Sequence, residues 1–191
     1  MKKNIIFVTG NADKFKEVQD YLKELDPEIV LEQIDLELPE YQGLDIRKIA
    51  GAKAKVAWDL VQKPMLIDDG GIYLERFNNF PGPLIKWVWE GMGLEGFWEL
   101  AKPDPRAYFL SCLVYCYGPD SCEFFEGVCH GTIIKPPETA TRKKMPFTDM
   151  LIPNGSTKTL NELRGTPEER VYHHRRKACA LFVEWFKSHA K

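Results

Sequence analysis

The chain lacks several features that would assign it to a class at once. Its five cysteines, Cys112, Cys116, Cys122, Cys129 and Cys179, are odd in number and form no C-x-x-C pair. That spacing suggests neither a zinc site nor a secreted disulfide framework, so buried reduced thiols are the expected state. The run Ile5-Ile6-Phe7-Val8 after Met1-Lys2-Lys3 is far too short for a signal-peptide core. No later stretch approaches the roughly 18 apolar residues of a membrane helix. A cytoplasmic or similarly reducing compartment is therefore expected, with no membrane association. Charge of one sign is also scarce: 26 Lys and Arg against 28 Asp and Glu leave a net charge of −2. No global field then draws nucleic acid, and any anionic ligand must be held by local cations. No G-x-S-x-G elbow or comparable nucleophile arrangement occurs, which leaves water as the expected nucleophile. Internal repeats and long linkers are missing too, so residues 1–191 read as one domain, large enough to bury a core unaided.

What is present is an α/β pattern. Asn4 to Val8 is a short apolar run ending in Thr9-Gly10-Asn11, followed by Phe15, Val18, Leu22 and Leu25 at helical spacing, which predicts strand, tight turn and helix. A second strand is expected near Ile29 to Leu36, then a loop holding Leu38-Pro39-Glu40-Tyr41-Gln42-Gly43. Ile46, Ile49, Val56 and Leu60 predict a helix over 45–61 with Asp45 as its N-cap and Lys53 at its middle. Met65-Leu66-Ile67 reads as a buried strand broken by Asp68-Asp69-Gly70-Gly71 at its carboxyl end, the edge at which open α/β sheets bind ligands. After Phe80-Pro81-Gly82-Pro83, two short helices are expected at 84–89 and 94–100, then a hairpin of long strands, 106–117 and 122–134, apolar on both faces and so central. A basic, Pro-rich loop follows at 135–144, then a short strand within 145–153, and a long last helix from Pro167 onward.

Four groups of residues can carry chemistry. Thr9-Gly10-Asn11-Ala12-Asp13-Lys14 places small and hydrogen-bonding residues where a strand hands over to a helix. Free backbone N–H groups there suit a phosphate, with Lys14 one turn in; otherwise the segment is an N-capped helix with a solvated lysine. Asp68 and Asp69 should point to opposite faces, and two carboxylates at a strand end cost solvation unless something uses them. Mg²⁺ is the natural user, since it takes one or two carboxylates together with substrate phosphates and water, and Mn²⁺ can stand in for it. Glu40 is a candidate second carboxylate; the bland alternative is a turn capped by Asp68 or Asp69. Lys53 and Lys86 can reach a polyphosphate as point charges. His173-His174-Arg175-Arg176 offers imidazoles and guanidiniums within one turn, fit for a phosphate or a base edge, or simply a solvated basic helix start.

In this order and spacing, nearly end to end, these pieces resemble the inosine triphosphate pyrophosphatase family, which hydrolyses deaminated purine triphosphates such as ITP, dITP and XTP. The resemblance is carried by Thr9-Gly10-Asn11-x-x-Lys14, Leu38 to Gly43, Lys53, Asp68-Asp69, Phe80 to Pro83 with Lys86 and Trp87, Phe125-Glu126-Gly127, Asp149, and His174-Arg175 before Lys177-Ala178. It implies an elongated single α/β domain, with a central mixed sheet flanked by helices and two lobes around a nucleotide cleft. It also implies a homodimer that converts the triphosphate to the monophosphate and pyrophosphate. Carried over, Thr9, Gly10, Asn11, Lys14 and Gly70 bind phosphates with Lys53 and Lys86, while Glu40 and Asp69 hold Mg²⁺. Asp68 or Asp69 orients the attacking water, and Phe147, Asp149, His174 and Arg175 meet the base.

The chain departs from the family at the base pocket. Pro146-Phe147-Thr148-Asp149-Met150 stands where Phe-Gly, an aromatic and Asp-Pro are usual, and Thr148 cannot stack on a base. His173 replaces the serine of Ser-His-Arg, and Glu168-Glu169-Arg170 stands where a lysine is expected. Ionised Glu169 cannot donate to a 6-keto group, whereas Arg170 can. Two other readings follow from this pocket: the same hydrolysis on a different modified nucleotide, or a nucleotide-binding protein without turnover.

Overall fold

The computed structural model describes residues 2–138 and 146–189. In it β1 (Lys3–Val8) leads through a tight turn into α1 (Ala12–Leu25) and back to β2 (Ile29–Ile34). β2 lies parallel to β1 in continuous register from Lys3↔Ile29 to Val8↔Ile34. The chain then returns through α2 (Ile46–Val61), capped by the Asp45 carboxylate on the Arg47 and Lys48 amides as expected, to β3 (Met65–Leu74) on the opposite side of β1. Next come β4 (Pro81–Gly82), α3 (Ile85–Ala101), the hairpin β5 (Arg106–Gly118) and β6 (Ser121–Ile133), β7 (Leu151–Pro153), the single turn α4 (Glu169–Tyr172), and α5 (His174–His189). The mixed seven-stranded sheet runs β2-β1-β3-β5-β6-β7, with β4 paired to β3.

Period-two alternation sorts the strand residues between two helical layers. Ile5, Phe7, Leu66 and Leu113 face α1 and α5, where they pack on Val18, Leu22 and Phe182. Ile6, Val8, Met65, Ile67 and Val114 face α2, whose Ala50, Ala54 and Ala57 let it lie close to the sheet. A third cluster, with Leu74, Phe97, Phe109, Met150 and Leu151, fills the far end beneath α3. Two glycines permit close approaches. A Cβ on Gly127 would sit 2.6 Å from the Ala178 amide and collide with the His174 carbonyl, so this glycine lets α5 rest on β6. A Cβ on Gly71 would lie 2.6 Å from the Gly82 carbonyl carbon, where β4 crosses.

Several expectations need correction. Asp68-Asp69-Gly70-Gly71 does not end the third strand: the ladder between β3 and β5 continues unbroken from Met65↔Cys116 to Leu74↔Ala107, so both carboxylates sit in mid-strand. The two short helices expected after Pro83 are present as the two parts of α3, parted at Gly93, which has φ 66° and ψ −174°. The short strand expected within 145–153 is present as β7, with a 3₁₀ turn over Pro146–Asp149 before it, and residues 139–145 of the basic loop lie outside the described residues. The last helix is interrupted at His173, whose extended ψ of 119° separates α4 from α5. Cys116 and Cys122, expected as thiols, are bonded to each other; they are direct cross-strand partners at the end of the hairpin, with Cα atoms 4.1 Å apart. Cys112, Cys129 and Cys179 are buried free thiols as expected. Among the described residues no helix is long and apolar enough to cross a membrane.

Candidate functional site

The sheet order creates a switch point between β1 and β3, because β2 lies to one side of β1 and the chain returns to the other. β1 pairs with β3 only at Met65 and Leu66, and β4 pairs only at Ile72 and Tyr73. Between them, from Ile67 to Gly71, no strand among the described residues covers that edge. Asp68 and Asp69 fall in this gap and, as neighbours on a strand, address opposite faces.

Asp68 faces α1 and α5 and is fully enclosed. Lys14 Nζ donates to its Oδ2 at 3.0 Å and to its carbonyl at 3.1 Å. Arg175 Nε donates to Oδ2 at 3.0 Å, and the Ser111 hydroxyl donates to Oδ1. Burial alone would raise this carboxyl, but Arg175 and Lys14, helped by Ser111, hold it down at about 2. Arg175 also grips Glu17, which meets Arg164 Nη2 at 3.0 Å and His173 Nε2 at 3.4 Å. Burial pushes Glu17 up, and Arg175, His173 and Arg164 outweigh it and leave it below its ordinary value. The result is an alternating chain of charges, Arg164, Glu17, Arg175, Asp68 and Lys14, enclosed at its centre and reaching solvent at Arg164.

Asp69 has a different environment. It faces α2, its Oδ1 accepts from the Gly70 amide at 2.9 Å, and its Oδ2 lies 3.9 Å from Lys53 Nζ. One-fifth of its side chain is exposed to the cleft. Of the two carboxylates, then, Asp68 is committed to positioning cations, and Asp69 is the one turned toward a ligand.

The β1–α1 turn is both an N-cap and part of the cleft. Asn11 Oδ1 accepts from the Asp13 and Lys14 amides at 3.0 and 3.2 Å, and Thr9 Oγ1 accepts from the Asn11 amide at 3.1 Å. The expected row of free N–H groups is therefore largely satisfied by these side chains. Lys14, in contrast, is no solvated lysine: Asp68 points it into the site.

Thr9, Gly10, Asn11, Lys14, Lys53 and Gly70 line one open cleft of about 620 Å³, together with Glu40, Asp68, Asp69 and Lys86. Glu40 comes from the loop after β2 and Lys86 from the first turn of α3; their side chains meet across the cleft at 2.9 and 3.0 Å. A smaller chamber of about 130 Å³ adjoins it, sharing Lys14, Gly70, Ile85 and Phe147 and adding Thr148, His174 and Arg175. Phe147 is fixed edge-on against Phe97 with centroids 5.3 Å apart. Asp149 lines neither space. Glu169 faces away: it accepts from the Tyr21 hydroxyl and, at 2.8 Å, from the Gly165 amide. Among the described residues no group of three side chains can cage a metal, whereas Glu40 and Asp69 face one cleft with cations ready for phosphates. That donor set fits a hard divalent ion that takes its remaining ligands from substrate and water.

Sequence reasoning passed over Glu17, Ser111, Tyr21 and Asp35. Glu17 carried a usable signal, since it follows Lys14 by three positions and so shares its helix face. Asp35, which lines the cleft, and Ser111, which reaches Asp68 from β5, are identifiable only once the sheet order is known.

The two histidines make the fold acid-sensitive. Burial drives His173 down from 6.5 to about 4 despite the pull of Glu17, and His174 well below its ordinary value. Both are neutral in the fold and take up protons on unfolding. Stability is therefore complete above pH 6.5 and declines as pH falls toward 4, by about 1.4 kcal/mol per pH unit for each imidazole. Thermal melts between pH 7 and 4.5 should show this slope, and His173→Gln should remove about half of it. An unchanged melting temperature from pH 7 to 5 would contradict the burial of neutral imidazoles.

A sequence model of the Ham1 family matches residues 5–185. A dITP/XTP pyrophosphatase of Methanopyrus kandleri is 31% identical over 186 residues, covering 96% of each chain. An inosine triphosphate pyrophosphatase of Batrachochytrium dendrobatidis is 34% identical over 187 residues, covering 97% of this chain and 95% of its own. Among solved structures, a HAM1 protein from Coxiella burnetii superposes with a TM-score of 0.78 at 19% identity, over 98% of this chain and 100% of that one. At that identity the likeness speaks for the fold.

Proposed function

The chain belongs to the Ham1 family and is a pyrophosphohydrolase, and on that premise we propose that it hydrolyses deaminated purine nucleoside triphosphates to the monophosphate and pyrophosphate. The observation that carries this is the pairing of two joined spaces. One is a large cleft with Lys14, Lys53 and Asp69, sized for a polyphosphate; the other is a smaller and shallower pocket beside it with Phe147, His174 and Arg175, where a flat base can lie. The names of the relatives, dITP/XTP and inosine triphosphate pyrophosphatase, point the same way.

In this reading Lys14 and Lys53 bind the phosphate chain as preorganised charges, and Lys14 needs no reorganisation because Asp68 already aims it. Asp69 orients the attacking water, accepting its hydrogen bond on the face opposite the buried network. Glu40 and Asp69 would hold Mg²⁺, or Mn²⁺, which when bound supplies Lewis-acid neutralisation of phosphate charge. The protein is read as a homodimer, as its family resemblance implies, in a cytoplasmic or similar compartment, as the lack of a signal-peptide core in its sequence suggests.

One observation favours a broader choice of base. Glu169 is held away from the chamber by Tyr21 and Gly165, and Thr148 lines it where an aromatic would stack. The neutral His174 can donate or accept, so the pocket holds no fixed cation of its own apart from the ion-paired Lys14 and Arg175. Kinetics on ITP, XTP, dITP, GTP, ATP and CTP separate the two readings: the deaminated-purine reading expects kcat/KM for ITP, XTP and dITP at least about tenfold above that for ATP, whereas comparable values across the purines would favour the broader choice. Equal or higher values for CTP would overturn the purine assignment.

A further inference from the structure

The Glu40–Lys86 pair ties a residue of the metal reading to a cation from another segment more closely than Asp69 and Lys53 do, which stand 3.9 Å apart. Lys86 Nζ reaches both oxygens of Glu40, at 3.0 and 2.9 Å, across 46 positions of sequence. Both side chains line the large cleft with Lys53 and Asp69, and the ammonium also lies 5.1 Å from the Trp87 ring centre. About half of each side chain is exposed, which makes this a screened and displaceable pair, unlike the enclosed Arg175–Asp68 contact.

We propose that Lys86 is an internal stand-in for the divalent cation: it holds Glu40 while the cleft is empty, and on loading of the metal–nucleotide it gives Glu40 up and turns its charge to the polyphosphate. This rests on the reading of Glu40 as a metal residue. A carboxylate facing a cleft that takes a polyphosphate would repel that substrate if left bare, and an ammonium held on it neutralises the repulsion. When Glu40 turns to the metal, the ammonium it releases is already in the cleft, beside the same anionic ligand that brought the metal. Lys86 thus acts with opposite sign on two steps, opposing the bare ion and favouring the metal–nucleotide.

That opposition is measurable. Mn²⁺ binding to the nucleotide-free full chain, followed by electron paramagnetic resonance, should tighten about threefold in Lys86→Met, the scale of an exposed ion pair. The KM for Mg·ITP should rise about tenfold or more in the same variant. Lys55→Met, which removes an exposed lysine of α2 outside the cleft, should leave Mn²⁺ affinity unchanged and so rule out a general charge effect. A merely structural role for Lys86 would weaken both kinds of binding. If Lys86→Met leaves Mn²⁺ affinity unchanged or lowers it, or if Lys55→Met tightens it equally, the inference is overturned while the metal reading stands. Failure of the unaltered protein to bind Mn²⁺ at all would overturn both.

Discussion

Replacing Asp69 with asparagine is expected to lower kcat for Mg·ITP by about a thousandfold, the scale of losing a preorganised electrostatic group at the reacting centre. Asparagine keeps the shape, and its amide oxygen can still accept from the Gly70 amide as Oδ1 does now. What disappears is the negative charge facing Lys53 and the cleft. Because the side chain is partly exposed and belongs to none of the core clusters, the melting temperature should stay within a degree or two, since such surface changes amount to about 0.5 kcal/mol. The comparison of steady-state kinetics with thermal melts therefore separates chemistry from folding. A variant that keeps kcat within tenfold of the parent would remove Asp69 from its role.

The second large effect is the reverse: loss of fold. Arg175→Met removes the guanidinium that lies between Glu17 and Asp68, leaving two carboxylates enclosed without their shared cation. Breaking a buried pair from one side costs about 3–5 kcal/mol, because the remaining charge keeps its desolvation penalty. For a domain of this size that corresponds to a drop in melting temperature of roughly 6 to 20 °C. The loss should shrink toward pH 5, because Glu17 and Asp68, freed of Arg175, shift upward and can be neutralised by protons. Differential scanning calorimetry at two pH values measures both statements. A drop under 2 °C would mean that the charge chain contributes little.

The two predictions divide adjacent residues that look alike in the sequence. Asp68 and Asp69 were recognisable as a pair, and strand alternation correctly placed them on opposite faces. Which one is enclosed by cations was not readable, because Ser111 and Arg175 lie 43 and 107 residues away and meet Asp68 only through β5 and α5. Elements with strong local signals were read well: Asp45 caps α2, Phe15, Val18 and Leu22 face the sheet from α1, and the long hairpin falls where the turn residues place it.

Errors arose where tertiary contacts override local preference. The glycines at 70 and 71 look like a strand terminus, yet the unbroken β5 partner and the close crossing of β4 make them strand residues. Cys116 and Cys122 have no motif in sequence, because their proximity is a matter of hairpin register. The departures at Thr148, His173 and Glu169 were visible, but their meaning depended on direction. Thr148 faces the small chamber, His173 is enclosed between Tyr21 and His174, and Glu169 turns to Tyr21.

The central claim is that this cleft holds a triphosphate so that water cuts between its α- and β-phosphates. Incubating the protein with ITP and Mg²⁺ and separating the products by anion exchange tests it most directly. The account predicts inosine monophosphate and pyrophosphate in equal amounts, with no diphosphate and no orthophosphate. Inosine diphosphate with orthophosphate, or no turnover of any nucleoside triphosphate, would contradict it.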